Sequence, residues 1–213
     1  MPINFTNLSL VKKTIDQHVN SRLLIVSKNQ SYNDVKLLIN EGFELFGENR
    51  VQEAFHKYNE LIFNDLKPIE LHLIGPLQTN KVKTALSIFD TIQTLDRKKL
   101  AKSISDNLNK TKNRRTKNFF IQVNIGNEIQ KSGISTYELS GLYDYASELG
   151  LNIVGLMCIP PNDLEPEKYF EKMAKIRDGL GKNLKLSMGM SGDYEMALKF
   201  GSNIIRVGSK IFK

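Results

Sequence analysis

The chain has 213 residues, 40% hydrophobic and 25% charged, with a formal net charge of +7. That length supports one sizeable core, and the composition is ordinary for a globular protein. The single cysteine, Cys158, excludes an internal disulfide framework and a cysteine-rich zinc site, and it points to a reducing, cytoplasmic setting.

No apolar run approaches the roughly 18 to 20 residues needed to cross a bilayer. The start, MPINFTNLSLVKKTIDQ, has no export pattern, so neither a membrane partner nor secretion is expected. The positive charge bears on association without selecting a partner. No helix-turn-helix, RNA-recognition or zinc-finger signature supports nucleic-acid binding.

In chain order, residues 5–19 read as an amphipathic helix, followed by a strand-like run, LLIVSK (23–28). Ser31 and Asp34, at capping-box spacing, open a helix carrying Val35, Leu38 and Ile39, and Gly42 closes it. FELFGE (43–48) is a second strand, and Val51, Ala54, Phe55 and Tyr58 mark the helix after it. ELHLIGP (70–76) and DTIQTL (90–95) come next; then the basic stretch KTKNRRTK (110–117), read as a solvated loop, leads into FFIQVNI (119–125). Ser135 and Glu138 open a helix with Leu139, Leu142 and Tyr143 that Gly150 closes, ahead of NIVGLMCI (152–159). Pro166 suits the first turn of a helix carrying Phe170, Met173 and Ile176 and ending at Gly181. LKLSMG (184–189), a helix from Asp193 to Lys199 with Gly201 at its end, and NIIRVG (203–208) complete the series.

Eight apolar strands alternating with helices imply parallel pairing, because parallel neighbours need a long crossover. The expected fold is α/β, a single (β/α)8 TIM-type barrel domain over residues 1–213, with an open doubly wound sheet as the alternative. Nothing after the eighth strand reads as a full helix, so the N-terminal helix is expected to cover that gap.

In a parallel barrel the chemistry gathers where strands end. Here those ends deliver Lys28, Asn49, Gly75 with Pro76, Met157 with Pro160, Ser191, and Arg206 with Gly208 and Ser209. The last two loops read GMSGD (189–193) and RVGSK (206–210): glycines allow close approach to an anion, hydroxyls donate to it, and the helix beginning at Asp193 is expected to aim its first amides at the site. A Gly-Ser pair alone is more often a plain turn. Lys28 faces the same mouth, and a desolvated lysine amine forms a Schiff base with an aldehyde. Aldehyde plus phosphate points to pyridoxal 5′-phosphate (PLP). Arg206 supplies a partner for the pyridine nitrogen; being always charged, it leaves that nitrogen unprotonated and weakens the electron sink.

Seven segments then carry a family resemblance: VSK (26–28), FGENRVQE (46–53), HLIGPLQTNK (72–81), NIGNEIQKSG (124–133), GLMCIP (155–160), SMGMSGD (187–193) and RVGSKIF (206–212). The chain resembles the pyridoxal phosphate homeostasis protein family, the YggS-like proteins, from its first strand to its eighth. The resemblance implies an alanine-racemase-like barrel with the cofactor as an aldimine on Lys28. It also implies Arg206 at the pyridine nitrogen, Ser191, Gly208 and Ser209 at the phosphate, Asn49 beside the ring, and Ile74 and Met157 packed around the cofactor. Asn29-Gln30, Gly192 and the end at Lys213 depart from the family pattern, which bears on loop details and the C-terminal edge.

The implied role is intracellular PLP homeostasis and delivery to PLP-dependent apo-enzymes, with no catalytic residue assigned. An amino-acid racemase-like enzyme is the first alternative. The resemblance weighs against it, because alanine racemases draw their second base, a tyrosine, from a separate domain and a partner subunit, and this chain is read as ending with strand eight. A barrel enzyme acting on a sugar phosphate is the second. Relatives imply a monomer, with an unpaired helix face as the route to a weak dimer.

No histidine pair has metal-ligand spacing, so no metal is assigned. His18 and His56 read as solvent-facing helical residues, while His72 lines the barrel or sits near its entrance. Cys158 reads as a buried small hydrophobe. Lys81, Lys83 and Arg114-Arg115 read as solvated surface, with a basic rim around the mouth as the sharper alternative.

Overall fold

All eight apolar runs become parallel strands: β1 (Arg22–Val26), β2 (Leu45–Glu48), β3 (Glu70–Leu73), β4 (Thr91–Leu95), β5 (Asn118–Val123), β6 (Ile153–Cys158), β7 (Lys185–Ser187) and β8 (Ile204–Val207). In the computed structural model, which describes residues 2–63, 68–162, 165–181 and 183–212, they pair in sequence order. β8 returns to β1 with Arg22 opposite Ile204 and Ile25 opposite Val207, so the sheet is a closed barrel and the open-sheet alternative falls. Lys213 lies outside the described residues.

The helices are α1 (Phe5–Asp16), α2 (Tyr32–Asn40), α3 (Val51–Phe63), α4 (Val82–Ile88), α5 (Lys98–Leu108), α6 (Leu139–Glu148), α7 (Pro166–Gly179) and α8 (Tyr194–Lys199). Ser31 and Asp34 close a complete capping box on α2, whose buried face is Val35, Leu38 and Ile39. Ser135 Oγ accepts the Glu138 N–H one turn before α6 begins. Gly42, at φ +87°, turns the chain out of α2 in the left-handed conformation that glycine adopts without strain.

α1 is shorter than the sequence reading, so His18 falls in the turn beyond it, whereas His56 is exposed on α3. The expected role of α1 holds. Ile3 bridges Phe212, Asn4 N–H donates to the Ile211 carbonyl at 2.8 Å, and Asn7 Nδ2 donates to the Lys210 carbonyl at 2.9 Å. The N-terminal segment therefore lies beside the stretch that follows β8.

Alternation along each strand divides the interior into two cores. Outward residues such as Ile25, Phe46, Leu71 and Ile205 pack under the helices, each buried aliphatic contributing about 1.5–3 kcal/mol. Inside the barrel, Leu24, Leu45, Phe120, Met157 and Ile204 form a smaller plug. Leu24 and Phe120 fit there because a Cβ on Gly47 would lie 2.3 Å from Leu24 Cδ2, and one on Gly155 would lie 2.3 Å from the Phe120 ring. The plug is a floor, and what stands above it is the site. Among the described residues no helix is long and apolar enough to cross a membrane.

Candidate functional site

Above the plug, at the C-terminal ends of the strands, opens a cavity of about 530 Å³. Seven of the eight residues expected from the sequence line it: Lys28, Asn49, Ile74, Ser191, Arg206, Gly208 and Ser209. Met157 does not, because it is fully buried one layer lower in the plug. Ile159, two residues further along the same strand direction, lines the cavity instead. Side chains on a strand return to the same face every second residue, so the strand-six position at cavity height is 159. Val26 reaches the wall by the same two-residue step before Lys28, and Met190 enters from the loop after β7. The sequence reading missed all three; counting inward positions up from the strands would have found Val26 and Ile159.

Lys28 is held by its neighbours rather than by its own side chain. Ser27 donates its N–H to the Gly47 carbonyl and its hydroxyl to Glu48 Oε1 at 2.8 Å, and its carbonyl accepts from Lys57 Nζ at 2.7 Å. Asn29 donates its N–H to Glu53 Oε1 at 2.6 Å. Asn29 takes φ +61°, a left-handed conformation that asparagine tolerates better than most residues. Among the described residues Lys28 Nζ has no hydrogen bond or ion pair, and the residue is exposed at the cavity.

Arg206 is the opposite case, 3% exposed and fully oriented. Nη1 donates to Ser187 Oγ at 2.9 Å and Nη2 to the Cys158 carbonyl at 2.8 Å. Burial lowers its pKa, yet a guanidinium keeps its charge throughout the physiological range. Its other N–H groups remain for whatever occupies the cavity.

The two glycine-serine loops meet beside it. Ser191 Oγ accepts the Lys210 N–H at 3.3 Å, which ties one loop to the other. Among the described residues the backbone N–H groups of Ser191, Gly192, Gly208 and Ser209 have no acceptor. Four free amides and two hydroxyls at the cavity rim are the kind of donors an anion needs. The expectation that the following helix would aim its amides here needs correction: α8 has only six residues, and the Asp193 and Tyr194 N–H groups both bond to the Met190 carbonyl. The donors are the loop amides one turn earlier. Gly208 sits close to β1, since a Cβ there would lie 3.1 Å from both Val26 Cβ and the Val26 carbonyl oxygen, so any larger residue would need Val26 to give by a few tenths of an ångström.

This donor set fits PLP, with an amine for the aldehyde, loop amides and hydroxyls for the phosphate and a permanent cation for the pyridine nitrogen. Among the described residues Asn49 Oδ1 is buried without a hydrogen-bond partner beside the cavity, a further unused acceptor. Cys158 is no competitor as nucleophile, because burial pushes its thiol up to about 12, against the opposing charge of Arg206.

The basic residues do not surround this mouth. Arg115 pairs with Asp90 at 2.9 Å and donates to the Ile69 carbonyl, at the N-terminal ends of β3 and β4 on the far side of the barrel. Lys83 lines a separate groove with Lys110 and Lys112. Lys81 borders a groove next to the cavity together with Arg50, a groove that shares Asn49 and Pro76 with it. His72, 2% exposed, lies in the lumen rather than at the entrance. No cluster of three or more potential metal ligands occurs among the described residues.

Residues 5–213 match the family described as alanine racemase, N-terminal domain. The chain is 39% identical over 201 residues to a pyridoxal phosphate homeostasis protein of Aquifex aeolicus, covering 90% of this chain and 86% of the relative. The structure of PipY from Synechococcus elongatus PCC7942 without PLP superposes with a TM-score of 0.87 at 31% identity, covering 98% of this chain and 99% of that one. The PLP-bound form of the same protein gives 0.85 at 30% identity with the same coverage. By sequence and by fold, the chain belongs to the pyridoxal phosphate homeostasis protein family, within the alanine racemase N-terminal domain fold.

Proposed function

We propose that this protein binds PLP in the 530 Å³ cavity and serves to hold and hand on the cofactor within the cell. The observation that carries the reading is the pairing of one unpartnered amine, Lys28, with an anion cradle of four free amides in the same cavity. Lys28 captures the aldehyde. Ser191, Gly192, Gly208 and Ser209 hold the phosphate, Arg206 faces the pyridine nitrogen, and Asn49, Ile74 and Ile159 bound the ring. The names of the relatives and the PLP-bound neighbour support the same ligand.

When bound, PLP supplies an aldehyde that reacts reversibly with amines. The chain's residues determine how it is held. Arg206 keeps a positive charge at the pyridine nitrogen, so that nitrogen has no reason to take up a proton, and the arrangement suits retention of the cofactor better than carbanion chemistry. Lys28 is exposed, so the covalent attachment can be reversed by an incoming amine, and PLP-dependent apo-enzymes are the natural recipients.

The test is an absorption spectrum of protein incubated with PLP, then borohydride reduction and peptide mass analysis. A phosphopyridoxyl group on the peptide containing Lys28, lost in Lys28→Ala, is expected. A wild-type protein that stays unlabelled, or a label placed on another lysine, overturns the reading.

A further inference from the structure

The lumen beneath the cavity is crossed by a continuous line of hydrogen bonds that ligand contact does not explain. Arg206 Nη1 donates to Ser187 Oγ at 2.9 Å, and the Ser187 hydroxyl donates to Gln93 Oε1 at 2.6 Å. Gln93 Nε2 then meets His72 Nδ1 at 2.7 Å, and His72 Nε2 meets Glu70 Oε1 at 2.7 Å. Arg22 Nη1 finishes the line on Glu70 Oε2 at 2.7 Å. It passes from β8 through β7 and β4 to β3 and β1, from the cavity floor to the opposite end of the barrel.

With the Gln93 amide placed as it stands, Oε1 towards Ser187 and Nε2 towards His72, the direction of each bond follows. A carboxamide nitrogen only donates, so His72 Nδ1 must be bare and the ring proton must sit on Nε2, facing Glu70. With its nitrogen committed to His72, Gln93 turns its oxygen to Ser187. That oxygen takes the serine hydrogen, which leaves a lone pair of Ser187 Oγ for Arg206. Ser187 and Gln93 are fully buried and His72 is 2% exposed, so solvent cannot replace a lost partner. Reversing the Gln93 amide would make Ser187 Oγ accept from both Gln93 and Arg206 and leave its own hydrogen without this acceptor.

We propose that Gln93 and His72 are positioning residues that, through Ser187, fix the orientation in which Arg206 meets the bound cofactor. This inference rests on the reading that Arg206 faces the pyridine nitrogen of PLP. Neither residue lines the cavity, so their effect on the ligand is transmitted.

The experiment compares Gln93→Met, Gln93→Glu and His72→Phe with wild type by PLP titration, by the absorption spectrum of the loaded protein, and by thermal denaturation. Gln93→Met removes the amide at similar volume; the expected result is a shifted cofactor band and a Kd about tenfold weaker. Gln93→Glu retains an oxygen for Ser187 but offers no donor to His72, and is expected to shift the band and Kd less than Gln93→Met. His72→Phe, one bond further away, shifts the band in the same direction as Gln93→Met. A merely structural role predicts lower Tm for all three with an unchanged band and Kd, and that result overturns the inference, as does a Gln93→Glu variant indistinguishable from Gln93→Met. Should wild type itself fail to take PLP on Lys28, the proposed function fails first, and that outcome is read before any variant is compared.

Discussion

Replacing Lys57 with methionine tests what holds the Lys28 loop in place. Lys57 Nζ, on α3, donates to Glu48 Oε1 at 2.8 Å, to the Ser27 carbonyl at 2.7 Å and to Glu53 Oε1 at 3.2 Å. Its side chain is 7% exposed and that of Glu48 is fully buried. Breaking a buried pair by removing one partner costs about 3–5 kcal/mol, because the remaining charge is stranded. At roughly 2–4 °C per kcal/mol for a chain of this size, Tm should fall by about 6–20 °C. The pH dependence has a definite sign. Burial raises the Glu48 pKa in the folded protein against the lowering effect of Lys57. A raised folded pKa contributes stability that is present below the unfolded value and lost as pH rises through the folded one. Without Lys57 the folded value rises further, so the deficit of K57M should be small at acid pH and grow towards pH 8. Urea melts of wild type, K57M, E48Q and E48Q/K57M across that range measure it, and the double variant should lose less than the sum of the singles. A K57M deficit below about 1 kcal/mol at pH 8, or one that shrinks as pH rises, refutes the reasoning.

Three further outcomes are expected. The hydrogen bond from His72, with help from Arg22 and against the opposing effect of burial, pulls the Glu70 carboxyl down to about 2. Its stabilisation is therefore present above the ordinary carboxylate range and lost as pH falls towards 2; Glu70→Gln should flatten the acid limb of the stability curve, and an unchanged limb counts against the assignment. A Cβ on Gly75 would lie 2.1 Å from the Asn49 carbonyl oxygen, backbone against backbone, so Gly75→Ala should displace the cavity wall and weaken PLP binding tenfold or more in a spectral titration. Unchanged binding would show that the wall yields without consequence. Cys158 should resist a thiol reagent at pH 8 until the chain is unfolded in guanidinium, since its thiol is buried and stays protonated; rapid labelling of native protein would contradict the packing around Arg206.

The barrel was legible because its signals are local. LLIV (23–26) is a continuous apolar run and the other strands are mainly apolar, as strands covered on both faces must be, and Ser31 with Asp34 or Gly42 marks a helix end within a few residues. Strand ends then gave Lys28, Asn49, Gly75, Pro76, Ser191, Arg206, Gly208 and Ser209 without any knowledge of distances, because a closed parallel barrel brings all its C-terminal ends to one mouth, and the family resemblance added Ile74. What failed was height. Met157 and Ile159 face the same way, and which of them clears the plug depends on the stagger between β5 and β6, where the register shifts between Phe119 and Phe120. The expected helix-terminal amides failed for a related reason. Asp193 is spaced as a cap, and its Oδ1 does accept the Met190 N–H at 2.6 Å, but that turn uses up the Asp193 and Tyr194 amides.

The polar line through the lumen was not legible at all, and the reason is physical. Arg206, Ser187, Gln93 and His72 stand on four strands separated by up to 134 positions between His72 and Arg206. Each taken alone reads as something ordinary: a charged strand end, a serine before a turn, a glutamine in a short strand, a histidine of ambiguous depth. Only closure of the sheet makes neighbours of β8, β7, β4 and β3 across the interior, and the direction of the line is then set by donor and acceptor counts rather than by any motif. TIM barrels fill this space mainly with branched aliphatics, and here Leu24, Leu45 and Ile204 follow that habit on one side. On the other side a polar route reaches the floor of the cavity. Satisfied at every step, it orients Arg206 more tightly than an apolar lumen would, since apolar packing leaves a guanidinium free to rotate among its donors.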